Sequence, residues 1–219
     1  MNYKSQWKQD EFLYKVWFER CPPTKPFFVD IGAHDGISGS NTYFFEKELK
    51  WQGICIEPIL ERYNQLVKNR DCFCLNCCIF DKVARVPFTE NHGYTEMLSG
   101  ITETYDIRHQ QRIVREQQSE GGDSTVLYKS AYPLNSILDL HEVKEVDYLS
   151  IDTEGSEFNI LNSLDYDKFF IKTISVENNY PDDFARIHSL LLSKNFTHVA
   201  RLGGDEIYFN NKLPFKIVA

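Results

Sequence analysis

Three stretches of this 219-residue chain carry side chains whose types and spacing suit chemistry. The first is a glycine-rich turn, Asp30-Ile31-Gly32-Ala33-His34-Asp35-Gly36, followed 21 residues later by Glu57. The other two are acidic: Asp152-Thr153-Glu154-Gly155-Ser156-Glu157 and Glu177-Asn178-Asn179. Glycines in a strand-to-helix turn let the backbone approach a ligand closely, and the helix start beyond it offers unpaired N–H groups. A carboxylate closing the next strand can accept both hydroxyls of a ribose. The pair therefore predicts a nucleoside-bearing ligand.

The type of nucleoside follows from what the turn lacks. A dinucleotide fingerprint needs a second glycine to admit a pyrophosphate, and His34 stands at that position. Asp30 and Asp35 would also place negative charge where phosphates lie. Both features suit a ligand with a cationic centre and no phosphate, namely S-adenosylmethionine. A nicotinamide-dependent oxidoreductase is disfavoured on the same grounds.

The elements that must position these residues read as alternating strands and helices. Phe27–Ile31, Gly53–Glu57, Val146–Asp152 and Lys172–Glu177 are short apolar runs of the kind buried on both faces of a sheet. Helices are expected over Trp7–Arg20, over Asn41–Trp51 with Ser38, Ser40 or Asn41 as cap, after Pro58 with Leu60, Tyr63 and Val67 on one face, over Gly155–Leu164 and over Asp182–Lys194. Cys72–Phe80 and Val83–Phe88 read as further strands. This alternation predicts an α/β, Rossmann-like fold with a doubly wound, mostly parallel sheet. Thr197–Leu202, Gly203-Gly204-Asp205 and Glu206–Phe209 read as a closing antiparallel hairpin. The polar stretch from about 102 to 124 is expected as an inserted lid or binding loop, within a single domain spanning 1–219.

Composition excludes several classes. With 24 Lys plus Arg against 32 Asp plus Glu, the net charge of −8 argues against a nucleic-acid partner. Nothing approaches the roughly 18–20 apolar residues of a membrane span, so no membrane partner is expected. Met1–Gln6 lacks the layout of an export signal, which predicts a soluble protein of the reducing cytoplasm or a domain excised from a longer one. The clustered Cys72, Cys74, Cys77 and Cys78 have no second ligand cluster for zinc and read as reduced thiols. Arg108, His109, Arg112 and Arg115 form a local basic patch that would suit a phosphorylated or nucleotide-linked sugar, or else a solvated helix face. Tyr94, Tyr105 and Tyr128 are candidates for stacking on a sugar, and nothing in the spacing of His109 or His188 places them near a reacting methyl.

The segments FFVDIGAHDGISGSNTYFFEK, GICIEP and LNSILDLHEVKEVDYLSIDTEGSEFNIL resemble the FkbM family of S-adenosylmethionine-dependent methyltransferases. SQWKQDEFL and Leu98-Ser99-Gly100-Ile101 are similar to segments of many members, so the resemblance runs from about Ser5 to Glu177. It implies a class I methyltransferase fold and methyl transfer to a hydroxyl, most often of a sugar or polyketide-type product. It also implies that Asp30, Gly32, Ala33 and Gly36 form the cofactor turn and that Asn41 and Thr42 lie beside the methionine end. Glu57 would hold the ribose, Pro58 would shape the adenine wall, and Gln9 and Asp10 would fold over the cofactor mouth. His34 is a common variant in this family and needs no catalytic role. A saccharide or glycan hydroxyl, such as that of a 6-deoxyhexose like rhamnose, is the preferred acceptor. Lipid, polyketide and amine acceptors are the alternatives, and a non-catalytic binding module would not need both acidic clusters.

Two roles are open for those clusters. Asp152, Glu177 and Asn178 offer oxygen ligands for a hard cation, Mg²⁺ or Mn²⁺, which would orient a diol and lower a hydroxyl's pKa. That set resembles the metal site of catechol-type methyltransferases. Alternatively, Asp152 or Glu154, with Glu177, acts directly as general base or positions the acceptor hydroxyl. Glu154 and Glu157 would, on a purely structural reading, cap the following helix.

Overall fold

The computed structural model describes residues 1–213; positions 214–219, the last six of the expected domain, lie outside the described residues. Gln9–Leu13 forms helix α1, and Tyr14–Phe18 continues it as a wider π-type turn. The apolar run Phe27–Ile31 is strand β1, buried from Phe28 onward. Beyond the glycine turn, helix α2 covers Tyr43–Lys47 and is shorter than expected, because the chain turns left-handed at Lys50 (φ +60°) before strand β2, Gln52–Ile56. Of the three expected caps, Ser40 is the one whose Oγ accepts from the N–H groups of Thr42 (3.3 Å) and Tyr43 (3.1 Å).

Helix α3, Leu60–Asn69, corrects the expected face. Leu60 and Val67 are exposed, while Leu66 and the following Arg70 turn inward. The Cys72–Phe80 run divides in two: β3, Phe73–Leu75, stays with β2, and β4, Cys78–Ile79, joins a second sheet with β5 (Ala84–Asn91), β6 (Gly100–Ile101) and β7 (Ser124–Tyr132). Between β6 and β7 lies helix α4, Ile107–Glu120, within the stretch expected as an inserted lid or binding loop. Its sequence is polar, yet Asp106 caps it by accepting from Arg108 N–H (2.7 Å), and His109 and Ile113 are buried one turn apart.

Apart from helix α5, which was not expected, the rest alternates as read. Helix α5 is Leu134–Leu140, β8 is Glu145–Ile151, α6 is Glu157–Ser163, β9 is Phe170–Glu177 and α7 is Pro181–Ser193. The chain closes with β10, Phe196–Leu202, and β11, Asp205–Asn210. The main sheet has the order β10-β11-β9-β8-β1-β2-β3. Its β3, β2, β1, β8 and β9 are parallel, and β11 runs antiparallel between β9 and β10. Val29, Ile31, Ile54, Ile56 and Leu149 fill the core on one face, and Phe28, Cys55, Tyr148 and Phe45 fill it on the other.

Parallel strands end on one edge, which is where ligands of open α/β sheets bind. The glycine turn after β1, Glu57 after β2, Asp152 after β8 and Glu177 closing β9 therefore share that edge. The reversed β11 brings Asp205 to it as well, in register with Glu177. The second sheet stands over the same edge, with Ile79, Phe88 and Ile101 lining the cleft between them. Among the described residues no helix is long and apolar enough to cross a membrane.

Candidate active site

The turn is built so tightly that two positions admit only glycine. Gly32 has φ +89°, and a Cβ there would lie 1.8 Å from the Asp152 carbonyl oxygen. Gly36 has φ +82°, with Leu66 Cδ1 and Arg70 Cγ at 2.7 and 2.8 Å from where its Cβ would be. The N–H groups of Gly32 and Ala33 both donate to the Ile56 carbonyl (2.9 and 3.0 Å), which fastens the turn to the end of β2. Asp35 spends its carboxylate on the next turn, accepting from the N–H groups of Ile37 and Ser38.

Glu57 faces this turn. One carboxylate oxygen accepts from His34 N–H (2.9 Å) and the other from Ile59 N–H (2.7 Å). Burial lifts its carboxyl to about 7, against the pull of those two donors. Gly32, His34, Glu57, Pro58 and Ile59 line one wall of a cleft of about 660 Å³, including its open mouth.

The other residues expected around the cofactor lie behind or beside that wall. Asp30 accepts from Thr42 Oγ1 (2.6 Å), and Thr42 Oγ1 accepts from Arg70 Nη2 (2.9 Å). Arg70, wholly buried, also donates to the Gly36 carbonyl, to Ser40 Oγ and to Glu46. This arginine holds the turn from beneath, and no periodic pattern in the sequence marks it. Asn41 donates to Ser150 Oγ (3.0 Å) and Asp205 Oδ2 (3.5 Å), and Gln9 donates to the same Asp205 oxygen at 2.8 Å. Asn41 Oδ1 is buried with no partner among the described residues. Asp10 is enclosed in the N-terminal turn, accepting from the N–H groups of Lys4 and Glu11 and from Ser5 Oγ (2.5 Å).

The acidic rim gathers Asp152, Glu154 and Glu177, which each place a carboxylate oxygen within 4.8 Å of the others. Among the described residues no Lys or Arg forms an ion pair with any of them; Glu154 Oε2 has only His109 Nδ1 and Asn179 Nδ2, each at 3.5 Å. Asp152 opens onto the cleft, yet the protein around it lifts its carboxyl to about 7, and the charges of Asp205 and Glu157 push the same way. Burial and then the Asp152 charge raise Glu154 and Glu177 well above the usual carboxylate range. Glu154 holds a left-handed backbone at φ +58°. Glu157 folds back to accept from Thr153 N–H (2.8 Å), Thr153 Oγ1 and Gly155 N–H, so it fastens this loop, whereas Glu154 turns into the cleft. Asn178 donates to Glu206 (3.2 Å), and its buried Oδ1 has no partner among the described residues. A second cleft of about 1260 Å³ lies beyond the rim, walled by Tyr105, Asp106, His109, Glu177, Asn178, Tyr180 and Arg186. Glu154 lines both clefts.

Residues 30–198 match the model of the methyltransferase FkbM domain. The chain belongs to this family. The FkbM methyltransferase of Methylobacillus flagellatus KT superposes with a TM-score of 0.51 at 14% identity, over 91% of this chain and 50% of that one. This FkbM domain thus spans half the length of that protein. The N-terminal domain of human METTL16 superposes with a TM-score of 0.49 at 10% identity, over 92% of this chain and 67% of that one. No curated protein matches the chain. The sheet order, with its antiparallel β11, is that of a class I methyltransferase.

The remaining sequence candidates scatter over the FkbM domain. His109 lies inside, 2% exposed, its Nε2 against the Leu98 carbonyl (3.1 Å), while Arg115 is exposed. Arg108 pairs with Asp106 and Asp182 and stacks over Tyr180, and Arg112 pairs with Glu116. The expected basic patch is therefore divided between the interior and the rim of the second cleft. Tyr105 donates to the Leu98 carbonyl (2.7 Å), and Tyr94 and Tyr128 are exposed. His188 stacks on Phe184 and contacts Tyr208 OH, away from both clefts. All six cysteines are free thiols; Cys77 and Cys78 are buried in the wall of the first cleft. Sequence reasoning missed Arg70 and Asp205. Only the Gly203-Gly204-Asp205 turn hinted at the second.

Proposed function

We propose that this domain is an S-adenosylmethionine-dependent O-methyltransferase acting on a hydroxyl of a sugar or glycan. The observation that carries the reading is the meeting of two clefts at Glu154, one walled by the glycine turn and Glu57, the other polar and open. In the first, Glu57 retains lone pairs for the ribose hydroxyls, and Asp152, Asn41 and Asp205 lie on the side where the cationic methionine end would rest. A cleft bordered by Glu57, Asp152 and Glu154 repels a pyrophosphate, which speaks against a dinucleotide.

The chemistry is an in-line displacement. The acceptor oxygen bonds to the methyl carbon as the carbon–sulfur bond breaks, the sulfur leaves as a neutral thioether, and a rim carboxylate takes the hydroxyl proton. Their raised pKa values suit Asp152, Glu154 and Glu177 to receive it.

The rim also fits a divalent cation. Three crowded carboxylates, Asp152, Glu154 and Glu177, which form no Arg or Lys ion pair among the described residues, make an oxygen-only donor set. Asp152 and Glu177, with Glu154 where the sequence suggested Asn178, would hold Mg²⁺ or Mn²⁺, which when bound lowers the pKa of an acceptor hydroxyl and orients a diol. The second cleft favours a saccharide over a lipid or amine: Asn178, Asn179 and Asp183 offer hydroxyl partners, Tyr180 a face, and Arg186 and Lys82 charges for a nucleotide-linked sugar. The domain would then serve within a larger glycan-processing protein, in the cytoplasm. Incubation with methyl-labelled cofactor and a panel of glycans, nucleotide sugars, lipids and amines tests this; label on a sugar hydroxyl supports it, and label only on lipid or amine overturns it.

A further inference from the structure

We infer that Arg62 and Glu96 form a latch across the mouth of the nucleoside cleft and so position and retain the cofactor. The inference rests on the reading of that cleft as the cofactor site. Arg62 stands in the first turn of α3, just after Glu57 and Pro58, and its Nε and Nη2 grip both oxygens of Glu96. Its Nη1 donates to Gln65 Oε1 (2.8 Å), which pre-sets the guanidinium fork.

Glu96 comes from a different part of the fold, the 3₁₀ turn Gly93–Leu98 that follows β5. Buried Asn91 pins the foot of this turn: its N–H donates to Ser99 Oγ (2.9 Å) and its Nδ2 to the Leu98 carbonyl (2.8 Å). Between these anchors Tyr94 and Met97 project outward, and Gly93 supplies a left-handed backbone at φ +72°. Glu96 Oε1 also lies 3.5 Å from His34 Nε2, so one carboxylate touches the turn after β1 and the helix after β2. Glu96 and Met97 both line the cleft, and Arg62, outside that lining, holds Glu96 from α3.

The energetics suit a latch better than a permanent tie. Arg62 and Glu96 are 23% and 22% exposed, which leaves the pair partly screened by water and salt. The second sheet has another link to the same corner, since Lys129 donates to the Pro58 carbonyl and to Glu90 (both 2.8 Å). Opening the latch therefore frees the 3₁₀ turn without detaching the sheet.

The test is the dissociation rate of S-adenosylhomocysteine from the full chain, measured by stopped flow together with the KM for S-adenosylmethionine. Glu96→Gln and Arg62→Ala are each expected to raise both by roughly two- to fivefold, the range of a partly exposed ion pair. The double variant should do no more than either single one, and Arg62→Glu with Glu96→Arg should restore the rate toward that of the native chain. Added salt should speed release from the native chain and leave Glu96→Gln unaffected. An unchanged release rate in Glu96→Gln, multiplying effects in the double variant, or an exchange that restores nothing would overturn the latch. If Glu57→Ala weakens homocysteine-nucleoside binding while Glu96→Gln leaves release unchanged, the cofactor site stands and the latch alone falls. If the native chain binds no S-adenosylhomocysteine, both fall.

Discussion

Gly32 and Asp152 meet backbone to backbone: a Cβ on Gly32 would sit 1.8 Å from the Asp152 carbonyl oxygen. The turn that follows β1 and the acidic loop that follows β8 are thus packed as one piece, and Asp152 N–H donates to Ile31 O (2.9 Å) across the same contact. The glycine turn and the acidic loop cannot move independently.

Gly32→Ala should therefore damage both. The substitution adds atoms to a filled contact, costing about 1–3 kcal/mol as overpacking does, and forces a side chain onto a left-handed backbone. A melting curve should show the loss of stability, and S-adenosylhomocysteine binding should fall with it.

Arg70 supports the turn from beneath. Arg70→Met should cost about 3–5 kcal/mol, because Glu46 and Asp30 stay buried without their cation. Urea denaturation checks the figure, and a variant as stable as the native chain would remove Arg70 from the account.

Most of the frame could be read from sequence, and the reasons are local. β1, β2, β8 and β9 are apolar runs that no solvent-facing segment would carry, and the turn and Glu57 follow from their ends. β7 was invisible because most of its residues face outward, which erases any alternation. α4 looked like a loop because a polar helix held by one cap and two inward residues has little periodic signal. Arg70 and Asp205 were missed for a different reason. A charged residue is buried only when partners distant in the chain surround it, and no local pattern records that. Asp205 reaches the rim through strand pairing with Glu177.

The stability of the ligand-free domain should depend on pH in an unusual direction. Glu57 titrates near 7 and Asp205 near 6 when folded, against ordinary values of 4.5 and 3.8. The folded state thus binds more protons than the unfolded chain between about pH 4 and 7, so stability falls as pH rises through that window. Melting temperatures at pH 5 and pH 7.5 check the sign; a higher value at pH 7.5 would contradict it.

The rim carries opposite demands of stability and function. Asp152→Asn removes one of the crowded charges, so the ligand-free variant should melt higher than the native chain. Turnover should fall by roughly 10²–10⁴, as when a general base is lost. If the rim also holds Mg²⁺, EDTA should abolish transfer by the native chain and added Mg²⁺ should restore it. Full turnover in EDTA would leave Asp152, Glu154 and Glu177 as acid–base groups alone.

The cleft between the glycine turn and Glu57 is proposed to take a sulfur nucleoside. Isothermal titration of the native chain and of Glu57→Ala with S-adenosylhomocysteine, and of the native chain with NADH, decides this. Saturable binding of the homocysteine nucleoside, weakened by about 1–3 kcal/mol in Glu57→Ala and absent with NADH, is the expected result. Tight binding of NADH, or homocysteine-nucleoside binding indifferent to Glu57, would contradict it.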